Sequence, residues 1–338
     1  MTKVDIISGF LGAGKTTFIK KLLSDVWAGE KLVLIENEFG EIGIDGGFLK
    51  DAGIEITEMN SGCICCTLVG DFSKALVKVL DEYHPDRVII EPSGVGKLSD
   101  VARAIEAVEK DADIEIDGRI TVVDGKKAKM YMKNFGEFFK DQVEHASTIV
   151  VSRTQMMTDE KVEECVHTLR EENAEATIIS TPWDELGKEA ISHALTKGAE
   201  IESLFEDHED HDHHDHCNHD HHDHDHHDHD HDCCCGHDHD HHHHHHADDV
   251  FTSWGKETVH KYTEEELDYL LKALSETTSY GTILRSKGII QMTDGSWKQF
   301  DLVPEEYEVR EGQPDYTGRI CVIGTDLKED DLLKLFHV

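Results

Sequence analysis

Residues 3–17 read Lys3-Val4-Asp5-Ile6-Ile7-Ser8-Gly9-Phe10-Leu11-Gly12-Ala13-Gly14-Lys15-Thr16-Thr17. The apolar run from Val4 to Ile7 has the character of a buried parallel strand. It empties into Gly9-x4-Gly14-Lys15-Thr16, after which Phe18, Ile19, Leu22 and Leu23 recur at helical spacing. A strand before and a helix after is the setting that a phosphate-binding P-loop requires. Glycine lets the backbone curl until successive N–H groups face a phosphate chain, and the helix N-terminus adds its positive dipole end. Gly9, Gly12, Ala13, Gly14, Lys15, Thr16 and Thr17 are therefore the expected cradle. Lys15 is placed to reach the β- and γ-phosphates, and the Thr16 hydroxyl to ligate Mg2+. The chain is expected to bind a nucleoside triphosphate.

The rest of the chain extends this start. Its 338 residues favour two domains. With 33 Lys and Arg against 71 Asp and Glu, the formal charge is −38. Neither nucleic acid nor an anionic membrane attracts such a polyanion, whereas cations suit it. No run of 18 apolar residues is present and the first residues lead directly into a strand, so neither a membrane span nor a signal peptide is expected. Nine cysteines in clusters do not resemble a secreted disulfide framework, and a cytoplasmic setting is the expectation.

A second short strand, Leu32 to Ile35, leads into Glu36-Asn37-Glu38-Phe39-Gly40-Glu41, an acidic, glycine-bearing stretch where a nucleotide-sensing switch belongs. After a strand over 54–59 comes Ser61-Gly62-Cys63-Ile64-Cys65-Cys66. Three cysteines within four residues suit a tight loop wrapping thiolates around one soft or borderline cation. Three sulfurs leave a tetrahedral Zn2+ one ligand short, which Glu36, Glu38, Glu41 or a client protein would supply. Co2+ and Ni2+ are further candidates, because thiolates do not by themselves name the metal. A redox pair is the competing reading of the thiols.

The strand Arg87 to Ile90 ends at Glu91, and Gly94 follows three residues later. An acid closing a hydrophobic strand has the form of a Walker B site, with Glu91 expected at the Mg2+ shell or attacking water and the Gly94 N–H near the terminal phosphate. A strand over 148–151 then delivers Ser152-Arg153-Thr154-Gln155, the expected base-reading loop. Strands alternating with helices up to about residue 197 imply a mostly parallel sheet covered by helices.

Composition then breaks. Residues 207–246 hold 21 of the 27 histidines and 13 acids, with no lysine or arginine. Nothing in such a tract can bury a core, so a disordered linker is expected. His208, His211, His213, His214 and His216 open it, and imidazole is the commonest metal ligand. The expected organisation is a nucleotide-binding domain over 1–200, a His/Asp/Cys-rich linker over 201–249 and a small α+β domain over 250–338. In the last, strands are expected at 250–254, 282–292, 296–303 and 319–324, helices at 263–275 and 328–336, and a hairpin at Asp294-Gly295. It carries no obvious catalytic constellation, so docking or regulation is its expected role.

GFLGAGKTT, ENEFGEIGID, SGCICC and IIEPSGVG, in this order, resemble the CobW-like family of P-loop GTPases. The resemblance implies GTP hydrolysis coupled to handling of a transition metal, prominently zinc, for a client metalloprotein. It covers essentially the whole chain, including a histidine-rich linker and a C-terminal domain. It also implies that Glu36 to Glu41 form a switch, that Glu91 and Gly94 do Walker B work, and that Cys63, Cys65 and Cys66 form the family's Cys-x-Cys-Cys motif. One departure concerns the base. The family's Asn/Thr-Lys-x-Asp motif is replaced by Ser152-Arg153-Thr154-Gln155, and a neutral amide is a weaker acceptor for guanine than a carboxylate. GTP is preferred over ATP on the resemblance, with Arg153 expected to stack on the base as a lysine stem does. Two alternatives stand beside this reading: a metal buffer with a degenerate nucleotide site, and a maturation factor for a cobalt or nickel enzyme. Self-association is compatible with each.

Overall fold

The computed structural model describes residues 1–37, 55–59, 69–109, 112–196, 250–315 and 317–338. The expectations placed on Glu38, Glu41, Cys63, Cys65, Cys66, His208, His211, His213, His214 and His216 lie outside the described residues. None of the described helices is long and apolar enough to cross a membrane.

The first body is a parallel α/β sheet. β1 (Thr2–Ser8), β2 (Leu32–Asn37), β3 (Glu55–Met59), β4 (Arg87–Glu91), β5 (Ile114–Asp124), β6 (Thr148–Ser152) and β7 (Thr177–Ile179) align in the order β3-β2-β4-β1-β5-β6-β7. Every neighbouring pair is parallel. Parallel strands buried on both faces show uninterrupted apolar runs, and β4 illustrates why. Val88 and Ile90 enter one hydrophobic cluster while Ile89 enters the other. The first cluster lies under α2 (Val69–Tyr83), α3 (Leu98–Glu109), α4 (Ala128–Asn134), α5 (Gly136–Glu144) and α6 (Asp159–Glu172). The second lies under α1 (Lys15–Lys21) and α7 (188–196), whose Ile191 is fully buried beside Phe18 and Ile19.

β1 is central, and the order of strands reverses around it. In such sheets ligands bind outside the carboxyl ends of the strands at the reversal. β5 begins at Ile114, six residues earlier than its apolar run Ile120 to Val123 suggests. Its polar first half is recruited by backbone pairing to β1, with a register shift between Val4 and Asp5.

The second sheet has the order β12-β11-β10-β13-β8. Its strands are β8 (Thr252–Thr258), β10 (Thr282–Met292), β11 (Trp297–Val303), β12 (Glu306–Glu311) and β13 (Gly318–Thr325), all antiparallel to their neighbours. The two-residue β9 (Lys261–Tyr262) pairs parallel to β10. α8 (Glu264–Glu276) and α9 (Glu329–Phe336) complete the unit. The hairpin at Asp294-Gly295 is present: Gly295 takes φ 90 and the Asp294 carboxylate accepts from the Ser296 N–H at 2.8 Å. β12 is an addition to the sequence expectation. Its residues, Glu-Tyr-Glu-Val-Arg-Glu, are charged enough to read as a loop, yet charge is how an edge strand avoids pairing with other chains.

The two sheets share buried contacts. Phe251, Leu284, Cys321 and Ile323 belong to the same hydrophobic cluster as Val4, Ile6 and Phe10 of the first sheet. Phe10, from the P-loop itself, enters an aromatic group with Tyr131, Phe135, Phe139 and Phe251 at centroid distances of 4.5, 5.5, 6.2 and 6.3 Å.

Candidate functional site

Three glycines of the P-loop occupy backbone conformations closed to ordinary side chains: Gly9 at φ 140, Gly12 at φ 68 and Gly14 at φ 100. Space as well as conformation demands them. A Cβ on Gly9 would stand 2.2 Å from the Val122 carbonyl oxygen, and one on Gly12 would stand 2.3 Å from Val303 Cγ1. Gly14 caps α1 and hands the chain to Lys15.

The residues expected at the phosphates converge. The buried Lys15 donates from Nζ to the Gly9 carbonyl at 3.0 Å and lies 4.0 Å from Glu91 Oε1. Thr16 Oγ1 donates to the same Glu91 oxygen at 3.5 Å. A hydroxyl from the P-loop and a carboxylate from the end of β4 thus meet beside an ammonium. That donor set is suited to a hard divalent cation and a polyphosphate. Glu36, at the end of β2, is in register with Glu91 on the adjacent strand and is buried. Gly94 lies against the P-loop backbone, where an added Cβ would be 3.0 Å from the Leu11 nitrogen.

Two supporting residues were not visible in the sequence. Gln142 of α5 is fully buried and donates from Nε2 to the Gly94 carbonyl at 3.3 Å and the Gly96 carbonyl at 2.8 Å, fixing the loop after β4. Asp124, at the end of β5, is buried and paired with Arg153. Burial pushes the Asp124 carboxyl up, against the pull of Arg153 and Lys127. Burial likewise pushes the Lys127 ammonium down, opposed by Asp124.

The loop after β6 is arranged differently from the picture of a base-stacking arginine. Arg153 adopts φ 60 and turns its guanidinium inward, onto Asp124, the Gly12 carbonyl at 3.1 Å and Glu306 at 3.4 Å. The buried carboxylate of Asp124 supplies the attraction. Ser152 is buried and donates its hydroxyl to the Val123 carbonyl at 3.2 Å, whereas Gln155 is exposed.

The pocket has a roof from the second sheet. A cavity of about 250 Å3 is lined by Gly12, Gly14, Lys15, Thr16, Thr17, Lys20, Glu91 and Arg153 below, and by Arg285, Asp301, Val303, Glu306, Tyr307, Glu308 and Arg310 above. Alternation explains the upper set: Asp301 and Val303 share a face of β11, and opposite them in register are Glu308 and Glu306 of β12. Arg285 of β10 is held by both Asp301 oxygens, at 3.3 and 2.9 Å. Lys127 Nζ donates to the Pro304 carbonyl at 2.7 Å, anchoring the β11–β12 turn beside the P-loop. Sequence reading had no access to this roof, because its charged residues come from strands far along the chain and only folding sets them over Gly12.

Residues 3–180 match the family model "CobW/HypB/UreG, nucleotide-binding domain", and residues 251–338 match "Cobalamin synthesis protein cobW C-terminal domain". Among similar proteins, zinc chaperone CobW of Sinorhizobium sp is 36% identical over 180 residues, covering 45% of this chain and 51% of that protein. Zinc chaperone YeiR of Escherichia coli K12 is 34% identical over 160 residues, covering 47% and 49%. Zinc-regulated GTPase metalloprotein activator 1 of Schizosaccharomyces pombe is 26% identical over 320 residues, covering 90% and 76%. The chain spans about half the length of the first two. With the first of these family-model matches spanning more than half of its length, the chain belongs to the CobW/HypB/UreG family of nucleotide-binding domains and carries a CobW C-terminal domain.

Proposed function

We propose that this protein is a GTP-hydrolysing metallochaperone that carries a divalent transition metal, zinc first, to a client metalloprotein. The observation that carries the reading is the convergence of Lys15, Thr16 and Glu91 at one pocket, with Glu36 beside Glu91 on the next strand. Thr16 and Glu91 would hold Mg2+, which supplies charge neutralisation at the phosphates. Lys15 draws the phosphate charge inward, and Gln142 keeps the Gly94 backbone against the P-loop. β2 and β3 end at Asn37 and Met59, on the same edge of the sheet as the P-loop. The sequence beyond them holds Glu38, Glu41 and the Cys63, Cys65 and Cys66 thiols. A chain leaving that edge suits coupling of phosphate state to a thiolate metal site. Relatives named as zinc chaperones and a zinc-regulated GTPase support zinc as cargo and GTP as nucleotide. Within this proposal residues 1–200 are the GTPase unit, 201–249 a histidine-rich reservoir raising local metal concentration, and 250–338 the roof; the setting is cytoplasmic.

The experiment is a paired zinc titration with a non-hydrolysable GTP analogue and with GDP, on the intact chain and on a Cys63→Ser/Cys65→Ser/Cys66→Ser variant. Linkage requires nucleotide and metal to alter each other's affinity by the same factor. An affinity that differs between nucleotides only when the thiols are present supports the reading. Equal affinities in both nucleotide states overturn the coupling. A second reading, a nucleotide-independent metal buffer, is favoured by one observation: Arg153 faces Asp124 and Gly12 while Gln155 replaces an acidic residue. Absence of hydrolysis with both GTP and ATP, with full zinc capacity retained, selects it.

A further inference from the structure

Three ligand-bearing side chains converge far along the chain from both the cysteine motif and the histidine tract. His260 lies between β8 and β9, Glu266 is the third residue of α8, and His337 directly follows α9. One ligand atom from each lies within 4.8 Å of the others.

The local structure builds this convergence. Thr263 caps α8 in a reciprocal box: the Glu266 N–H donates to Thr263 Oγ1 at 3.1 Å, and the Thr263 N–H donates to Glu266 Oε2 at 2.8 Å. The box occupies Oε2 and leaves Oε1 facing His260 Nε2 at 3.8 Å. His260 is positioned from two directions. Its N–H donates to Thr258 Oγ1 at 3.1 Å, and its ring meets the Tyr262 ring edge-to-face at 4.7 Å. The buried Tyr262 donates its phenol to the Phe336 carbonyl at 2.6 Å, fixing the end of α9 one residue before His337. Phe336 stacks on Trp254 at 5.6 Å, and His337 turns back in a left-handed conformation, φ 55 and ψ 42. Its ring then lies 4.7 Å from that of His260.

His260 Nε2 itself points to a ligand. It is shielded from solvent and has no hydrogen-bond partner, and 3.8 Å to the carboxylate is too long for one. A metal ion at about 2.0–2.2 Å from each donor closes that gap and satisfies the nitrogen. We propose that His260, Glu266 and His337 form a binding site for a borderline divalent cation such as Zn2+. Two imidazoles and a carboxylate are a zinc donor set with the fourth position open to solvent or to a ligand from another molecule. An open position is the chemistry of an exchangeable ion, which makes the second sheet a metal-handling element in its own right. The site stands independently of the nucleotide reading.

Histidine footprinting tests it on the intact chain. Diethyl pyrocarbonate modifies imidazole nitrogens, and trypsin then separates the histidines in question. His260 falls in peptide 257–261 and His337 in peptide 335–338, each without a second histidine, while the 207–246 tract lies elsewhere. With Zn2+ about ten times above the half-protection point, the reactivity of both histidines should fall together by about tenfold. Glu266→Gln keeps an oxygen acceptor for the Thr263 N–H and so keeps the cap. It should weaken protection at both histidines with its melting temperature unchanged. His337→Ala should remove protection at His260. Absence of zinc protection in the wild-type chain, which would leave an imidazole–carboxylate pair alone, overturns the proposal. Protection of each histidine that ignores the other and Glu266 overturns it as well.

Discussion

Replacing Gly12 with alanine should disrupt the seat of the second sheet on the P-loop, and the structure gives the size of the effect. A Cβ at that position stands 2.3 Å from Val303 Cγ1, well inside contact distance, on a backbone at φ 68. The left-handed conformation costs an L-residue about 1–2 kcal/mol. Forcing a methyl into a packed contact costs about 1–3 kcal/mol more. Val303 has little freedom to yield. It is β-branched, buried, paired in β11 and followed by Pro304, whose carbonyl Lys127 holds. Gly12→Ala should therefore destabilise the protein by about 2–5 kcal/mol. Val303→Ala alone removes two methyl groups, about 1.6 kcal/mol at roughly 0.8 per buried carbon. In the double variant the overlap is gone while the backbone strain stays, so it should be about 1–3 kcal/mol more stable than the two single effects summed. Urea unfolding of the four proteins reads this coupling directly. Additivity within about 0.5 kcal/mol would refute the contact between roof and P-loop, and with it the shared pocket.

Two further perturbations address the interior. Gln142→Leu leaves the buried Gly94 and Gly96 carbonyls without their donor, at about 1–3 kcal/mol each, so both stability and nucleotide hydrolysis should drop; unchanged hydrolysis would show that the loop after β4 does not need this brace. Asp5 of β1 is buried beside Arg87, and burial pushes its carboxyl up from 3.8 to about 7 against the pull of that arginine. A folded pKa above the unfolded one means the Asp5 contribution is complete below about pH 4 and is lost as pH rises through about 7. The stability of wild type relative to Asp5→Asn should accordingly fall from pH 5 to pH 8, and a relative stability that stays flat over that range would mean that Arg87 keeps the carboxylate ionised.

Legibility from sequence followed the range of the interaction. The P-loop was readable because Val4 to Ile7, the glycines and the following helix are contiguous, and backbone geometry and local chemistry point the same way. Glu91 was readable for the same reason, as an acid at the end of an apolar strand. The hairpin at Asp294-Gly295 was readable from two residues. β12 was not, because Glu306 to Glu311 lacks the apolar content that marks a strand and gains its order from pairing with β11. Nor was the role of Arg153: a side chain with five donors goes to the strongest acceptors available, and Asp124 and Glu306 come from positions 29 residues before and 153 residues after it. The roof of the pocket required both of these long-range facts, as did the meeting of His260 with His337.

The anchoring of the segments on either side of the histidine tract has a consequence for how the protein varies. Ile191 of α7 is buried against α1, and Phe251, just beyond the tract, is buried against Phe138 at 4.9 Å. Both segments are thus fastened to one body. For a flexible join between two fixed points, closure entropy grows only logarithmically, about 0.6 kcal/mol for each doubling of length. The number of residues between the two anchors should therefore vary at little cost to folding. Gly12, Val303 and Phe10, by contrast, are held to narrow tolerances by what they touch.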